Sequence, residues 1–270
     1  MKKIKFDINY SEYIETSGLK DFLRDCNLLP PNLNFDKVMH PPNFSVDPSN
    51  IEPFPPEWDD LIRLHWLITS YRITTVMEFG IGYSSLVMAH ALSKNYERYH
   101  NFVKENLRRN NAFQLWCVDP HAGYISESLN RIPDRLKKHV STICSSVTMG
   151  TFQDRICTYY NEIPNICADF IYLDGPDQFA GAVEDVRGVS TRHPDRLPMA
   201  ADILSIEWFL VPGTIILVDG RTANARFLAK NLQRNWIFHH YPDLDISVFQ
   251  LDENPLGVYS AKHMNFMYGN

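Results

Sequence analysis

What most limits how this chain can fold is a recurring unit: a short β-rich apolar run that stops on glycine or aspartate, then a stretch with helical spacing. Residues 73–80 form the first such run, and 84–92 follow as a helix candidate, with 96–110 a second, charged helical stretch. Further strands are expected over 113–118, 140–147, 155–160, 170–173 and 214–218, and helices over 126–138, 199–210 and 222–231. Ahead of them Trp58, Leu61, Ile62, Leu64, His65 and Ile68 recur at helical spacing. Strands alternating with helices predict an α/β fold whose parallel sheet is covered on both faces. Residues 170–173 and 215–218 are apolar throughout, as strands buried on both faces must be. The chain closes differently: 236–240 and 246–251 flank a turn containing Pro242, which predicts an antiparallel hairpin.

Residues 1–56 have another texture. Pro30, Pro31, Pro41, Pro42, Pro48, Pro53, Pro55 and Pro56 break any long element, while 11–28 has room for one or two short helices. Aromatic and aliphatic residues are too frequent there for a disordered tail. The expected division is a Pro-rich extension or lid at 1–56, a main domain at 57–252 and a C-terminal tail at 253–270. A chain of 270 residues can bury a sizeable core without disulfides or structural metals. Its five cysteines include no C-x-x-C pair and read as mostly buried thiols in a reduced setting. A formal charge of −6 lacks the basic footprint of a nucleic-acid binder. No run reaches membrane-spanning length, and Asp7 follows the basic start where a signal sequence would be apolar. The expectation is a cytoplasmic protein with a small-molecule partner, no membrane or nucleic-acid partner, and a homo-oligomeric state left open.

In open α/β sheets, ligands gather beyond the carboxyl ends of the strands, where the strand order reverses. The first strand ends Glu78-Phe79-Gly80-Ile81-Gly82-Tyr83-Ser84-Ser85. Two glycines permit a tight turn, two serines can cap the following helix, and its first amides favour a carboxylate or phosphate. A dinucleotide loop wants a third glycine where Ser85 stands, and a Walker loop wants a lysine where Leu86 follows the serines. Glu78 would repel a pyrophosphate and attract an ammonium or sulfonium. Asp119, closing the next strand, can accept from both hydroxyls of a ribose, or simply form an Asp-Pro turn with Pro120.

Taken in order along 57–252, Glu78-Phe79-Gly80-Ile81-Gly82, Asp119, Asp169-Phe170-Ile171-Tyr172-Leu173-Asp174-Gly175 and the run from Pro212 to Asp219 resemble the class I S-adenosylmethionine-dependent methyltransferases. The resemblance implies a Rossmann-like, doubly wound, mostly parallel seven-stranded sheet with an antiparallel C-terminal hairpin. It implies S-adenosyl-L-methionine as cofactor, held by Glu78, Phe79, Gly80, Gly82, Ser84 and Ser85, with Asp119 on the ribose. Residues 1–56 lie outside it.

Asp174 and Asp219 end neighbouring strands and share the rim beside the methyl donor. Such a pair serves as a general base, as ligands of a divalent cation, or as loop caps. Catechol-type O-methyltransferases resemble the metal arrangement and imply Mg2+ bound by Asp174 and Asp219. They carry an asparagine after the second aspartate, however, where this chain has Gly220 and then Arg221. The Asn/Asp-Pro-Pro-aromatic loop of DNA amine methylation is absent, replaced by Asp174-Gly175-Pro176-Asp177-Gln178.

Substrate candidates are Asp177, Gln178, Arg221 and His193. Arg221 either reaches for an anionic group or braces Asp219. His193 lies in a polar loop, 187–196, that could close with the N-terminal segment over a substrate, and is either a base or an idle loop residue. His121 ranks beside it. Tyr159 and Tyr160 flank an adenine or pack in the core; Trp116, Trp208, Phe209, Trp236 and Phe238 read as core. His239 and His240 share a strand, point to opposite faces and make no chelate. The expected activity is methyl transfer to a small polar metabolite, a sugar or nucleotide-sugar hydroxyl in carbohydrate biosynthesis. A nicotinamide-dependent oxidoreductase and a non-catalytic scaffold of the same fold are the alternatives.

Overall fold

The strands form where apolar runs meet polar stops, and a computed structural model describes them over residues 3–29, 56–178, 180, 185–191, 193 and 195–269. The elements are α1 (Tyr10–Thr16), α2 (Leu19–Asp25), α3 (Trp58–Ser70), β1 (Thr75–Phe79), α4 (Tyr83–Asn106), β2 (Gln114–Asp119), α5 (Ala122–Arg131), α6 (Asp134–Lys137), β3 (Val140–Cys144), β4 (Val147–Phe152) and β5 (Arg155–Tyr160). There follow β6 (Phe170–Leu173), α7 (Asp202–Ile206), β7 (Ile215–Asp219), α8 (Thr222–Asn231), β8 (Trp236–Tyr241), β9 (Ile246–Leu251) and α9 (Val258–Tyr268).

Seven strands make one sheet in the order β3-β2-β1-β6-β7-β9-β8. The first five are parallel, β9 runs antiparallel to β7, and β8 antiparallel to β9. This is the Rossmann-like sheet that the resemblance implies, with the antiparallel edge hairpin that the pattern predicts. The chain steps outward from β1 to β2 and β3, then returns to place β6 on the other side of β1. Strand order therefore reverses between β1 and β6, and every residue of both is buried.

Several elements differ from expectation for identifiable reasons. The stretch 84–92 and most of 96–110 belong to one 24-residue helix, α4, which stops at Asn106. Asn95 interrupts the apolar pattern, but its buried amide donates to the carbonyls of Ile68 and Ile73, both at 2.9 Å, so the helix runs through. The run 140–147 divides after Cys144: β4 leaves the main sheet to pair antiparallel with β5. The helix expected over 126–138 breaks before Pro133, and that over 199–210 shrinks to α7 and one 3-10 turn.

That turn, Glu207–Phe209, reverses the core reading of two aromatics: Trp208 is 69% exposed and Phe209 80%. Glu207 is the buried member, its carboxylate accepting from the amides of Gln233 and Arg234 and from Trp236 Nε1 at 2.9 Å. Burying it turns the next two side chains outward, where Trp208 lies 5.6 Å from the Arg234 guanidinium. Trp116, Trp236 and Phe238 are only partly buried. All five cysteines are free thiols, but only Cys117 and Cys157 are buried; Cys144 and Cys167 are exposed and Cys26 is between.

The chain's ends pack on this frame. Ile4, Ile14, Leu19 and Leu23 are fully buried, and the Ile4 amide donates to Gln250 Oε1 at 3.0 Å. Helix α9 inserts Phe266 and Met267 into the same cluster and brings His263 within 3.3 Å of Asp169. Asp169, at the amino end of β6, also accepts from the Thr74 amide at 2.7 Å and pairs with Arg109. It thereby ties β1, β6 and α9 together at the edge opposite the rim. The prolines at 30–55 lie outside the described residues. No described helix is long and apolar enough to cross a membrane.

Candidate functional site

Beyond β1 and β6 two glycine turns touch. The Gly80 amide continues the ladder to Val118 O at 2.9 Å, and the Asp174 amide to Phe79 O at 3.1 Å. Gly80 has φ +116°, in the region that favours glycine. Gly175 has no room for a side chain: a Cβ there would stand 2.9 Å from Gly80 N, 3.0 Å from the Phe79 carbonyl carbon and 2.7 Å from Tyr160 Oη. Phe79 and Tyr160 are buried and stacked with centroids 5.7 Å apart, so Phe79 offers the rim only backbone, and Tyr160 belongs to the core.

Glu78 corrects the expectation of a carboxylate facing a cationic ligand. It is completely buried beneath the loop, accepting from Ser84, from Ser85 at 2.5 Å and from the Cys117 thiol at 3.1 Å. Burial pushes its pKa up to about 7 against the lowering effect of those hydrogen bonds. The hydroxyls of Ser84 and Ser85 are thus committed inward, and Ser85 Oγ also accepts the Gly82 amide at 3.1 Å. The backbone of α4's first turn, not the two serine hydroxyls, is what remains to meet a ligand.

Asp119 ends β2 and is buried. Its Oδ1 accepts the His121 amide at 2.8 Å, the Asp-Pro turn, and Oδ2 has no partner among the described residues. Burial raises its pKa to about 7, assisted by the charge of Asp177. Asp177 sits 3.5 Å from His121 Nε2 and raises that histidine's pKa. This contact joins the β2 and β6 sides of the crevice, a pairing that chain positions 121 and 177 do not announce. Gln178, next to Asp177, is half-buried.

Asp174 and Asp219 are brought together as expected, since β6 and β7 pair in parallel with Leu173 opposite Val218. Asp219 accepts from the Tyr172 hydroxyl. Burial raises its pKa to about 6, with that hydrogen bond and Arg63 opposing. Asp174 keeps a solvent-exposed surface although protein surrounds its carboxyl group. Burial and the charge of Asp219 hold its carboxyl well above the usual range, against the influence of Arg221.

Arg221 takes neither expected role. It is buried, and its guanidinium donates to the carbonyls of Pro176 and, at 3.4 Å, Pro198. It clamps the Gly175-Pro176 turn instead of pairing with Asp219 or facing solvent. His193 Nδ1 accepts the Asp195 amide at 3.2 Å, a local turn contact. Arg192 and Pro194 of the expected lid lie outside the described residues.

Beside Asp219 lies a cavity of about 160 Å3 that sequence reading missed. Glu57, Asp59, Asp60 and Arg63 of the α3 start line it, with Gly220 and Asp245. Arg63 pairs with Asp59 at 2.7 Å and with Asp60, leaving a strong excess of carboxylates. Acids at a helix start read as complements of its dipole. Only the packing of α3 over the end of β7 makes them a wall of the site.

The donor set does not fit Mg2+. Asp219 is engaged by Tyr172, Gly220 supplies no side chain, and among the described residues no group of three His, Cys, Asp or Glu is arranged to hold a metal ion.

No protein-family profile matches the chain, and no curated protein sequence does. Among solved structures, the SAH-bound methyltransferase PaMTH1 of Podospora anserina is 12% identical with a TM-score of 0.43, over 94% of this chain and 100% of its own. The O-methyltransferase of Bacillus cereus in complex with SAH is 13% identical, TM-score 0.40, over 90% and 96%. The O-methyltransferase TomG of Streptomyces achromogenes, involved in tomaymycin synthesis and in complex with SAM, is 13% identical, TM-score 0.38, over 76% and 83%. Likenesses this distant bear on fold alone, and the Rossmann-like assignment rests on the observed strand order.

Proposed function

We propose that the chain is an S-adenosylmethionine-dependent methyltransferase acting on a hydroxyl of a small polar molecule. The observation that carries this reading is the Gly80–Gly175 crevice at the strand-order reversal, with Asp119 on one side and the Asp174/Asp219 pair on the other. In this reading the backbone at Gly80 and Gly82 and the first amides of α4 hold the carboxylate end of the cofactor. Asp119 Oδ2 accepts from the ribose hydroxyls. S-adenosylmethionine, when bound, supplies an electrophilic methyl group, and the protein's task is alignment and proton removal.

Asp219 is the base: a carboxyl with its pKa near 6 is mostly ionised at neutral pH yet more basic than a free aspartate. Tyr172 fixes its orientation. The acid-lined cavity beside it suits neutral or cationic acceptors and repels phosphate. A free sugar or related polyol therefore fits better than a nucleotide sugar. The nicotinamide alternative is disfavoured by Ser85, whose buried hydroxyl occupies the place of the third glycine.

Calorimetric titration with S-adenosylmethionine, S-adenosylhomocysteine and NAD tests this. Binding of the first two alone supports it; binding of NAD alone, or of none by folded protein, overturns it. An acceptor screen over polyols and amino sugars then follows, and Asp219→Asn should retain cofactor binding while losing at least about a hundredfold in turnover.

A further inference from the structure

On the helical layer, away from the rim, α4 and α6 enclose a second cavity of about 220 Å3. Lys94, Arg135 and Lys138 line it against a single carboxylate, Glu97, which pairs with Lys94 at 3.2 Å. Arg135 and Lys138 have no carboxylate partner among the described residues; their cations rest near the rings of Phe22 and Tyr96, 5.7 and 4.8 Å from the centroids. Ser93 adds a hydroxyl to the wall, and His90 lies at the base, 6% exposed.

His90 ends a partly buried hydrogen-bonded chain. Its Nδ1 is 3.1 Å from His65 Nε2, His65 Nδ1 is 2.7 Å from the Tyr13 hydroxyl, and that hydroxyl is 2.8 Å from Thr69 Oγ1. Phe22 stacks on His90 at 4.0 Å, 4° from parallel. Both histidines are held neutral, since burial and nearby cations push His90 down to about 3 and His65 well below its usual value. A neutral chain has two proton orders. In one, Tyr13 donates to His65, His65 to His90, and His90 presents an Nε2–H to the cavity. In the other every donor reverses, Thr69 donates to the His65 carbonyl at 2.9 Å, and His90 presents a bare Nε2. The surrounding cations favour the bare nitrogen; an anion favours the N–H.

We propose that this cavity binds a phosphate-class oxyanion, held by Arg135, Lys138 and Lys94 and by the Nε2–H of His90. Binding fixes the proton order of the chain through His65 to Tyr13, coupling the site to α1 and α2 through Tyr13 and Phe22. The ligand is free phosphate or the phosphate group of a small metabolite, and the site is independent of the methyl-transfer reading.

The test is nitrogen-15 NMR of the histidine rings during titration with inorganic phosphate and, separately, glycerol 3-phosphate, against chloride at matched ionic strength. A saturable response with His90 as the Nε2–H tautomer is expected, and the tighter of the two ligands identifies the source. Arg135→Gln and Lys138→Gln, both at exposed positions, should fold normally and each weaken binding at least fivefold, while Lys137→Gln, outside the cavity and paired with Asp134, should not. A bare His90 Nε2 at saturating phosphate, no saturable response, or undiminished affinity in both cavity variants overturns the proposal.

Discussion

Replacing Gly175 by alanine tests whether contact between the two glycine turns shapes the crevice. The added Cβ would lie 2.9 Å from Gly80 N and 3.0 Å from the Phe79 carbonyl carbon. Ordinary contact begins near 3.4 Å, so one turn must retreat by about half an ångström. These two obstacles are backbone held by ladder hydrogen bonds, and rotating a side chain cannot relieve them; the third, Tyr160 Oη at 2.7 Å, ends a buried side chain. Overpacking of this kind costs about 1–3 kcal/mol, which in a chain of this length lowers Tm by roughly 2–10 °C. Since a displacement of about 1 Å can cost a hundredfold in a positioned site, half of that predicts about a tenfold loss of S-adenosylhomocysteine affinity. Gly82→Ala is the comparison: φ is −177°, extended backbone open to any residue, and the nearest atom is Ser84 Oγ at 3.9 Å. It should melt within about 2 °C of the parent, a surface-scale effect, and lose affinity only through contact with the ligand. Scanning calorimetry and titration calorimetry give both readouts. A Gly175→Ala protein that melts and binds like the parent would refute the reasoning, and one that loses stability but not affinity would detach the crevice from the ligand.

Tyr172→Phe removes a hydrogen bond that favours the ionised Asp219, so the acid limb of the kcat/KM profile should move to higher pH from a midpoint near 6; an unmoved limb excludes Asp219 as the base. Asp169→Asn leaves Arg109 buried without its partner and should destabilise by about 3–5 kcal/mol in chemical denaturation; a change under about 1 kcal/mol would show that Thr74 and His263 do not depend on the charge. Glu78→Gln tests linkage: the parent's folded-state pKa is raised from 4.5 to about 7, so ionisation erodes its stability as pH rises across that window. Whatever the offset at pH 4, the variant should gain about 3 kcal/mol on the parent by pH 8, and a constant difference would show that Glu78 does not titrate there.

The sheet was legible because its signal is local. Residues 170–173 and 215–218 are apolar without interruption, and strands buried on both faces have no polar side to alternate with. Asp119, Asp174 and Asp219 were legible for the same reason, as the polar stops of those runs. What stayed hidden depends on partners distant in sequence. Asn95 continues a helix because two carbonyls await it, and Trp208 is outside because Glu207 has four donors to satisfy. Arg221 reads as a partner for an anionic group or for Asp219 until the Pro176 carbonyl is found beside it. Tyr172 is one apolar-looking member of a strand, and Glu57, Asp60 and Asp245 are three unrelated acids, until β7 ends among them.

The rim gathers acids whose ionisation the fold resists. Glu78 and Asp119 have pKa values raised to about 7, Asp219 to about 6, and Asp174 lies well above its ordinary range. Burial is the first cause in each case, and a cation brought among them would favour the charged forms. The first two are raised into the neutral range. A ligand with a fixed positive charge should therefore release protons on binding. S-adenosylmethionine carries a sulfonium; S-adenosylhomocysteine, alike in shape, has a neutral sulfur. Titrations in buffers of differing ionisation enthalpy separate them: the apparent binding enthalpy should vary with buffer for the first and much less for the second. Glu78→Gln should remove part of the release without contacting the ligand, because its carboxyl lies beneath the loop. Equal buffer dependence for both ligands would mean that these acids do not sense the sulfonium, and that their raised pKa values are a consequence of burial with no part in selecting the cofactor.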